Sequence, residues 1–283
     1  MSPTGPHGAG ARTTRSAATS CPVTSPATRP SVTRPRVALV TGANKGIGRA
    51  VARQLGERGM RVYLGARDEE RGRTAERELR EGGLDARCLR LDVTDESTVG
   101  LAAKRIEEES GRLDVLVNNA GVGSSSHVPS RTSADEVRQT FETNVFGVVT
   151  VINALLPLLR RSDAGRIVNI SSMLGSLTAL ADDRDPTGAL PPGSLPPPTG
   201  YSTSKAALNA LTVLYARELH EDGILVNAAC PGFVATDING GQGHLTPDQG
   251  ARIPVLLATL PEGGRTATFI GSDGSPAGVE LPW

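Results

Sequence analysis

Cysteine is scarce. Cys21, Cys88 and Cys230 are odd in number, far apart and form no C-x-x-C pair. Neither a disulfide framework nor a structural zinc site is expected, and free thiols in a reducing, cytoplasmic setting fit. An excess of one charge is also lacking, since 30 Lys and Arg stand against 30 Asp and Glu. No basic stripe marks the folded part, so nucleic acid is not an expected partner. Nor is there an apolar run of membrane length. Phe146 to Leu159, the most apolar stretch, contains Thr150, Asn153 and Pro157 and reads as a buried helix. No metal is expected, and no short-period repeat recurs.

Residues 1 to 35 differ from the rest. They are rich in Ser, Thr, Ala and Pro, carry Arg12, Arg15, Arg29 and Arg34, and have no acidic residue. Without apolar periodicity or a signal-type core they read as a disordered tail. A transit-type peptide, or an extension upstream of the natural start, would share this composition.

From Pro35 short β-branched runs alternate with helical stretches. The strands are predicted over Arg36–Thr41, Arg61–Gly65, Ala86–Leu91, Leu113–Asn118, Arg166–Ser171, Ile224–Ala229 and Thr266–Ile270. Helices are predicted over Ile47–Arg58, Asp68–Glu81, Asp95–Ser110, Ser133–Arg160, Tyr201–Glu221 and Pro247–Thr259. This order implies one α/β domain over 36–283: a doubly wound, Rossmann-type parallel sheet of about seven strands in three α/β/α layers. Residues 176–200 break the rhythm. Their prolines and charges disfavour both helix and inner strand, and predict a long loop.

Three motifs carry chemistry. The first turn, Thr41-Gly42-Ala43-Asn44-Lys45-Gly46-Ile47-Gly48, follows a strand and opens a helix. Glycines there let the backbone approach a pyrophosphate, which the helix N-terminus attracts. The second strand ends Leu64-Gly65-Ala66-Arg67, with no acid at its tip to bind ribose hydroxyls. Arg67 and Lys45 instead suit a 2′-phosphate, which favours NADP(H) over NAD(H). Third, Tyr201 and Lys205 are one helical turn apart. An ammonium beside a phenol favours the phenolate and would bring the tyrosine's pKa down.

These segments, with Leu91-Asp92-Val93, Asn118-Asn119-Ala120-Gly121, Asn144, Ser171-Ser172 and Pro231-Gly232, give the chain a resemblance to the short-chain dehydrogenase/reductases. Asn44-Lys45, Ala66-Arg67-Asp68, the insertion before Tyr201 and the ending Pro282-Trp283 resemble the monomeric carbonyl-reductase-like members. The resemblance implies NADPH-dependent reduction of a small aldehyde, ketone or quinone. An NAD(P)-dependent alcohol dehydrogenase and a silent NADP(H) sensor are the alternatives. It makes Tyr201 the general acid. Lys205 tunes Tyr201 and binds the nicotinamide ribose. Ser172, three residues before Gly175, binds the substrate oxygen in preference to Ser171, and Asn144 holds a relay water. The coenzyme would be bound by Gly42, Asn44, Lys45, Gly46, Ile47, Gly48, Arg67, Asp92, Val93, Asn119, Ala120, Gly121, Tyr201, Lys205, Pro231, Gly232, Val234 and Thr236. Asn118 is read as a structural hydrogen-bonder, and Cys230 as a packed small hydrophobe.

Ser172 and Tyr201 are further apart than in most members of that family. The inserted loop is expected to wall the substrate pocket and to cover a tetramer face, favouring a monomer. After Thr236, three glycines and few apolar residues predict a flexible lid.

Overall fold

The computed structural model describes residues 34–125, 128–182, 198–272 and 275–283. The N-terminal tail up to residue 33, His127, residues 183–197 of the insertion and Asp273-Gly274 lie outside them, and so do the expectations placed on those residues.

The elements alternate as the patterning requires. In order they are β1 (Val37–Thr41), α1 (Gly46–Gly56), β2 (Arg61–Ala66), α2 (Glu69–Glu81), β3 (Ala86–Arg90), α3 (Glu96–Ser110), β4 (Val115–Asn118), α4 (Ala134–Phe141) and α5 (Gly147–Leu159). Then follow β5 (Arg166–Ile170), α6 (Leu177–Asp182), α7 (Thr199–Glu218), β6 (Leu225–Cys230), α8 (Pro247–Gly250), α9 (Arg252–Ala258), β7 (Phe269–Gly271) and β8 (Val279–Glu280). The sheet order is β3-β2-β1-β4-β5-β6-β7-β8. Seven strands run parallel, and β8 corrects the expected count by adding a two-residue antiparallel edge.

Alternate side chains of each inner strand enter different cores. Val37 and Leu39 join the residues of α3, α5 and α7 on one face. Ala38 and Val40 join those of α1, α2 and α9 on the other. Burial on both faces is why these strands are apolar throughout. The order reverses between β1 and β4, and a crevice at that reversal is the expected ligand position.

Four local departures have physical causes. The helix predicted over Ser133–Arg160 is interrupted by a π-helical turn at Glu142–Phe146. Its wider turn carries one extra residue and shifts the faces of α4 and α5. The run Ala134–Leu159 is long enough and, with an 18-residue stretch of mean hydropathy 1.5, apolar enough to cross a membrane by length and composition alone. Here the apolar side of α5 packs in the core. Second, the predicted loop after Gly175 begins with helix α6. The Ala179 amide donates to Ser176 Oγ at 3.1 Å, and no proline occurs before residue 186. Third, the helix predicted over Pro247–Thr259 breaks at Ala251. Pro254 has no N–H to give the Gly250 carbonyl. Fourth, β7 starts at Phe269 rather than Thr266, because Ala267 takes a left-handed conformation (φ 56°).

Candidate active site

The glycine loop joins β1 to α1 and is braced by Asn119 at the end of β4. Asn119 Nδ2 donates to the carbonyls of Thr41 (2.8 Å) and Gly42 (3.2 Å). Thr41 Oγ1 accepts from the amides of Asn119 (2.9 Å) and Ala120 (3.0 Å). Gly42 has φ +62°, and a Cβ there would lie 3.0 Å from Ala120 Cα. A Cβ on Gly48 would strike Asn119 Nδ2 and the Gly42 carbonyl. Only glycine fits either position. The N-terminus of α1 has no side-chain cap and no acid in its first turn, so its amides and dipole are left for an anion.

Beside the loop lies a cleft of about 530 Å³ lined by Asn44, Lys45, Arg71, Thr74 and Asp237, among others. Arg67 stands at its edge, next to Asp68, and Arg71 adds a third cation to the expected pair. Arg67 is exposed where β2 ends, whereas Arg71 is carried into the cleft by the first turn of α2. The Asp68 N-cap places Arg71 in the first turn of the helix that follows, a signal that could have found it. Asp92 Oδ1 accepts from Thr94 N (3.0 Å) and Thr94 Oγ1 (2.8 Å). The Val93 side chain is buried, and a Cβ on Gly147 would lie 2.7 Å from its Cγ2, so Val93 offers a ligand only main chain.

The catalytic candidates meet where β5 and α7 adjoin. Ser172 Oγ accepts from Leu174 N at 3.2 Å, and its hydroxyl stands beside the Tyr201 phenol, whose pKa it acts to lower. Lys205 Nζ donates to the Ile170 carbonyl at 2.7 Å and lies 5.5 Å from the centre of the Tyr201 ring. Ser171 faces away and gives its hydroxyl to Asn209 Oδ1 at 2.6 Å. Asn144, in the π-turn, is fully buried. Its Oδ1 accepts from Val122 N (2.9 Å), and its Nδ2 donates to Val122 O (2.9 Å) and Ser204 Oγ (3.0 Å). Gly121 lies between these groups. A Cβ there would be 3.3 Å from Asn144 Oδ1 and 3.8 Å from Lys205 Nζ.

The expected phenolate is not what this geometry favours. Burial pushes the Tyr201 phenol up to about 12, against the opposing effect of Ser172. Burial likewise pushes Lys205 down to about 8. Desolvation disfavours the charged form of each.

After β6 the chain runs back over the glycine loop. Pro231 is buried, and at Gly232 (φ +81°) a Cβ would lie 2.7 Å from Leu245 Cδ1. Val234 is buried and bridges to Leu245. The Thr236 methyl would be 3.6 Å from a Cβ on Gly46. The segment expected to be a flexible lid is hydrogen-bonded at its base: Thr236 N donates to Asn239 Oδ1 (3.1 Å) and Asn239 Nδ2 to Val234 O (2.8 Å).

The family model described as short chain dehydrogenase matches residues 36–181 and 194–244. The chain belongs to this family. A short-chain dehydrogenase/reductase 1 of Saponaria officinalis is 38% identical, over 83% of this chain and 93% of its own length. Carbonyl reductase (NADPH) 3 of Rattus norvegicus is also 38% identical, over 80% and 91%. The solved salutaridine reductase of Papaver somniferum superposes with a TM-score of 0.71 at 32% identity, over 83% of this chain and 99% of that one.

Behind the candidate catalytic groups of this short-chain dehydrogenase is a buried polar frame. Asn118 Nδ2 donates to Asn169 Oδ1, and Asn169 Nδ2 to Thr212 Oγ1, both at 2.9 Å. Asn118 thus joins β4 to β5, the structural part read for it. Asn209 Nδ2 donates to Gly175 O at 3.2 Å. Gly175 is pressed on α7, where a Cβ would lie 2.6 Å from the Lys205 carbonyl carbon. Polar residues inside predicted apolar strands and helices were the available signal. Cys230 is buried against Phe269, as a small hydrophobe would be.

Proposed function

We propose that this short-chain dehydrogenase uses NADP(H) to reduce a small aldehyde, ketone or quinone to the alcohol, with Tyr201 as the acid. The observation that carries this reading is the convergence of Ser172, Tyr201 and Lys205 where β5 meets α7, with the Lys205 ammonium 5.5 Å from the Tyr201 ring centre.

The residues suit the coenzyme. The glycine positions that exclude a Cβ and the uncapped start of α1 form a cradle for a pyrophosphate. Lys45 with Arg67 and Arg71 would hold a 2′-phosphate, and Asp92 with the Val93 main chain would meet the adenine. Pro231, Gly232, Val234 and Thr236 would line the nicotinamide. The bound coenzyme supplies the hydride.

The chain's own groups do the rest. The hydroxyls of Ser172 and Tyr201 converge, so both can donate to one carbonyl oxygen. Their bonds strengthen as that oxygen gains negative charge, which stabilises the transition state. Tyr201 holds its proton firmly at neutral pH and releases it to a developing alkoxide, a much stronger base than water. Lys205, anchored by Ile170, keeps a positive charge behind the phenol as the proton leaves. Asn144 fixes the Val122 main chain and Ser204 around Lys205. The space bounded by Gly121, Asn144 and Lys205 suits a water that replenishes the proton.

The test is initial rates with NADPH, and separately NADH, against quinones, aromatic aldehydes and ketones. NADPH-dependent turnover is expected, falling about 10²- to 10⁴-fold in Tyr201→Phe with NADPH binding retained. Turnover with NADH alone, or undiminished turnover in the variant, would overturn the reading.

A further inference from the structure

Every cation lining the cleft beside the glycine loop already has a carboxylate partner there. Arg49 pairs with Glu78 at 2.8 Å and Arg71 with Asp68 at 3.2 Å, while Lys45 pairs with Asp237. The three acids differ in what else they do. Asp68 caps α2 by accepting from Arg71 N, and Glu78 belongs to α2 itself. Asp237 is three-quarters exposed, and among the described residues its carboxylate bonds only Lys45. The pair joins two distant parts of the chain, the glycine loop and the segment that follows β6. A second tie links the same two regions, since Arg53 Nη2 meets Asp248 Oδ1 at 2.7 Å and Gln54 Nε2 donates to the Asp248 carbonyl at 2.9 Å. The segment is thus held over α1 with a carboxylate placed on the cation that a phosphate needs.

We propose that Asp237 is a specificity-determining residue, a counter-charge that a 2′-phosphate must displace from Lys45. This rests on the NADP(H) reading above. The dianion gains Lys45 only as Asp237 gives it up, and it also meets the repulsion of that carboxylate. A ligand without the 2′-phosphate does not enter this competition. Asp237 therefore narrows the preference for the phosphorylated coenzyme below what Lys45, Arg67 and Arg71 alone would set.

Calorimetric titration of the full chain with adenosine 2′,5′-bisphosphate and with adenosine 5′-monophosphate tests this. Asp237→Asn is expected to bind the bisphosphate about 3- to 10-fold more tightly at low salt, with a smaller gain at high salt and no change for the monophosphate. The gain is expected to vanish when Lys45→Met is combined with it, because the competition runs through the ammonium. Equal bisphosphate affinity in wild type and Asp237→Asn would overturn the proposal and leave the phosphate site standing. A gain that survives Lys45→Met would also overturn it. Failure of either protein to bind the bisphosphate would instead overturn the NADP(H) reading.

Discussion

Adjacent serines at the end of β5 serve opposite sides, because successive side chains of an extended chain alternate. Ser172 meets the Tyr201 phenol, while Ser171 is 1% exposed and bonds Asn209. Ser172→Ala is expected to cut turnover about 10²- to 10³-fold with little change in melting temperature. Ser171→Ala is expected to do the reverse. It leaves Asn209 Oδ1 buried without its donor, at about 1–3 kcal/mol of stability, with turnover per folded molecule nearly intact. Parallel kinetics and thermal melts separate the two, and a matching loss of turnover in Ser171→Ala would contradict the division. The reading of Ser172 came from the family pattern at Gly175. The duty of Ser171 was not legible, since its partner lies 38 positions away on α7.

Between elements, one carboxylate ties α3 to the outer strands. Glu109 accepts from Tyr63 Oη on β2 (2.9 Å), Arg87 Nη1 on β3 (2.7 Å) and Arg105 Nε within α3 (2.8 Å). Burial alone would raise its carboxyl, but bonds from Arg105, Arg87 and Tyr63 overcome this and hold it down at about 2. The folded state therefore prefers the ionised form. The resulting stability is present above the unfolded value of 4.5 and is lost as pH falls from there towards 2. Wild type is expected to be about 1–2 kcal/mol more stable than Glu109→Gln at neutral pH, after allowance for partial exposure, with the gap closing towards pH 2. Denaturant melts at several pH values would show it, and a constant gap would refute it. The strands and helices themselves were legible from periods of two and 3.6. The π-turn, the break at Ala251 and the left-handed Ala267 were not, because each is one residue's departure inside an otherwise regular pattern.

For the whole molecule, the described core residues begin at Val37, and Pro35–Trp283 forms one compact unit. We propose that residues 1–33 add nothing to this unit. A chain starting at Arg34 is then expected to keep its melting temperature and turnover, and a fall in either would give the tail a role. The end of the described chain does take part. Trp283 stacks on Phe269 (5.6 Å between ring centres), and its main-chain oxygen accepts from Thr178 N (3.1 Å) and Ser176 Oγ (3.3 Å). This packs the last residues against the start of α6, just beyond the Ser172 turn.

Local spacing by itself determined the alternating α/β order, the glycine loop and the pairing of Tyr201 with Lys205. These rest on interactions within a strand, a turn or one helical turn, where sequence distance is spatial distance. Tertiary structure alone decided that Asn119 braces the glycine loop and that Asp237 meets Lys45 across 192 positions. It also decided the directions in which the pKa values of Tyr201 and Lys205 move, because burial depends on what every layer packs around them. Such partners are chosen by the order of strands in the sheet and the crossovers between them, which no short-range pattern encodes.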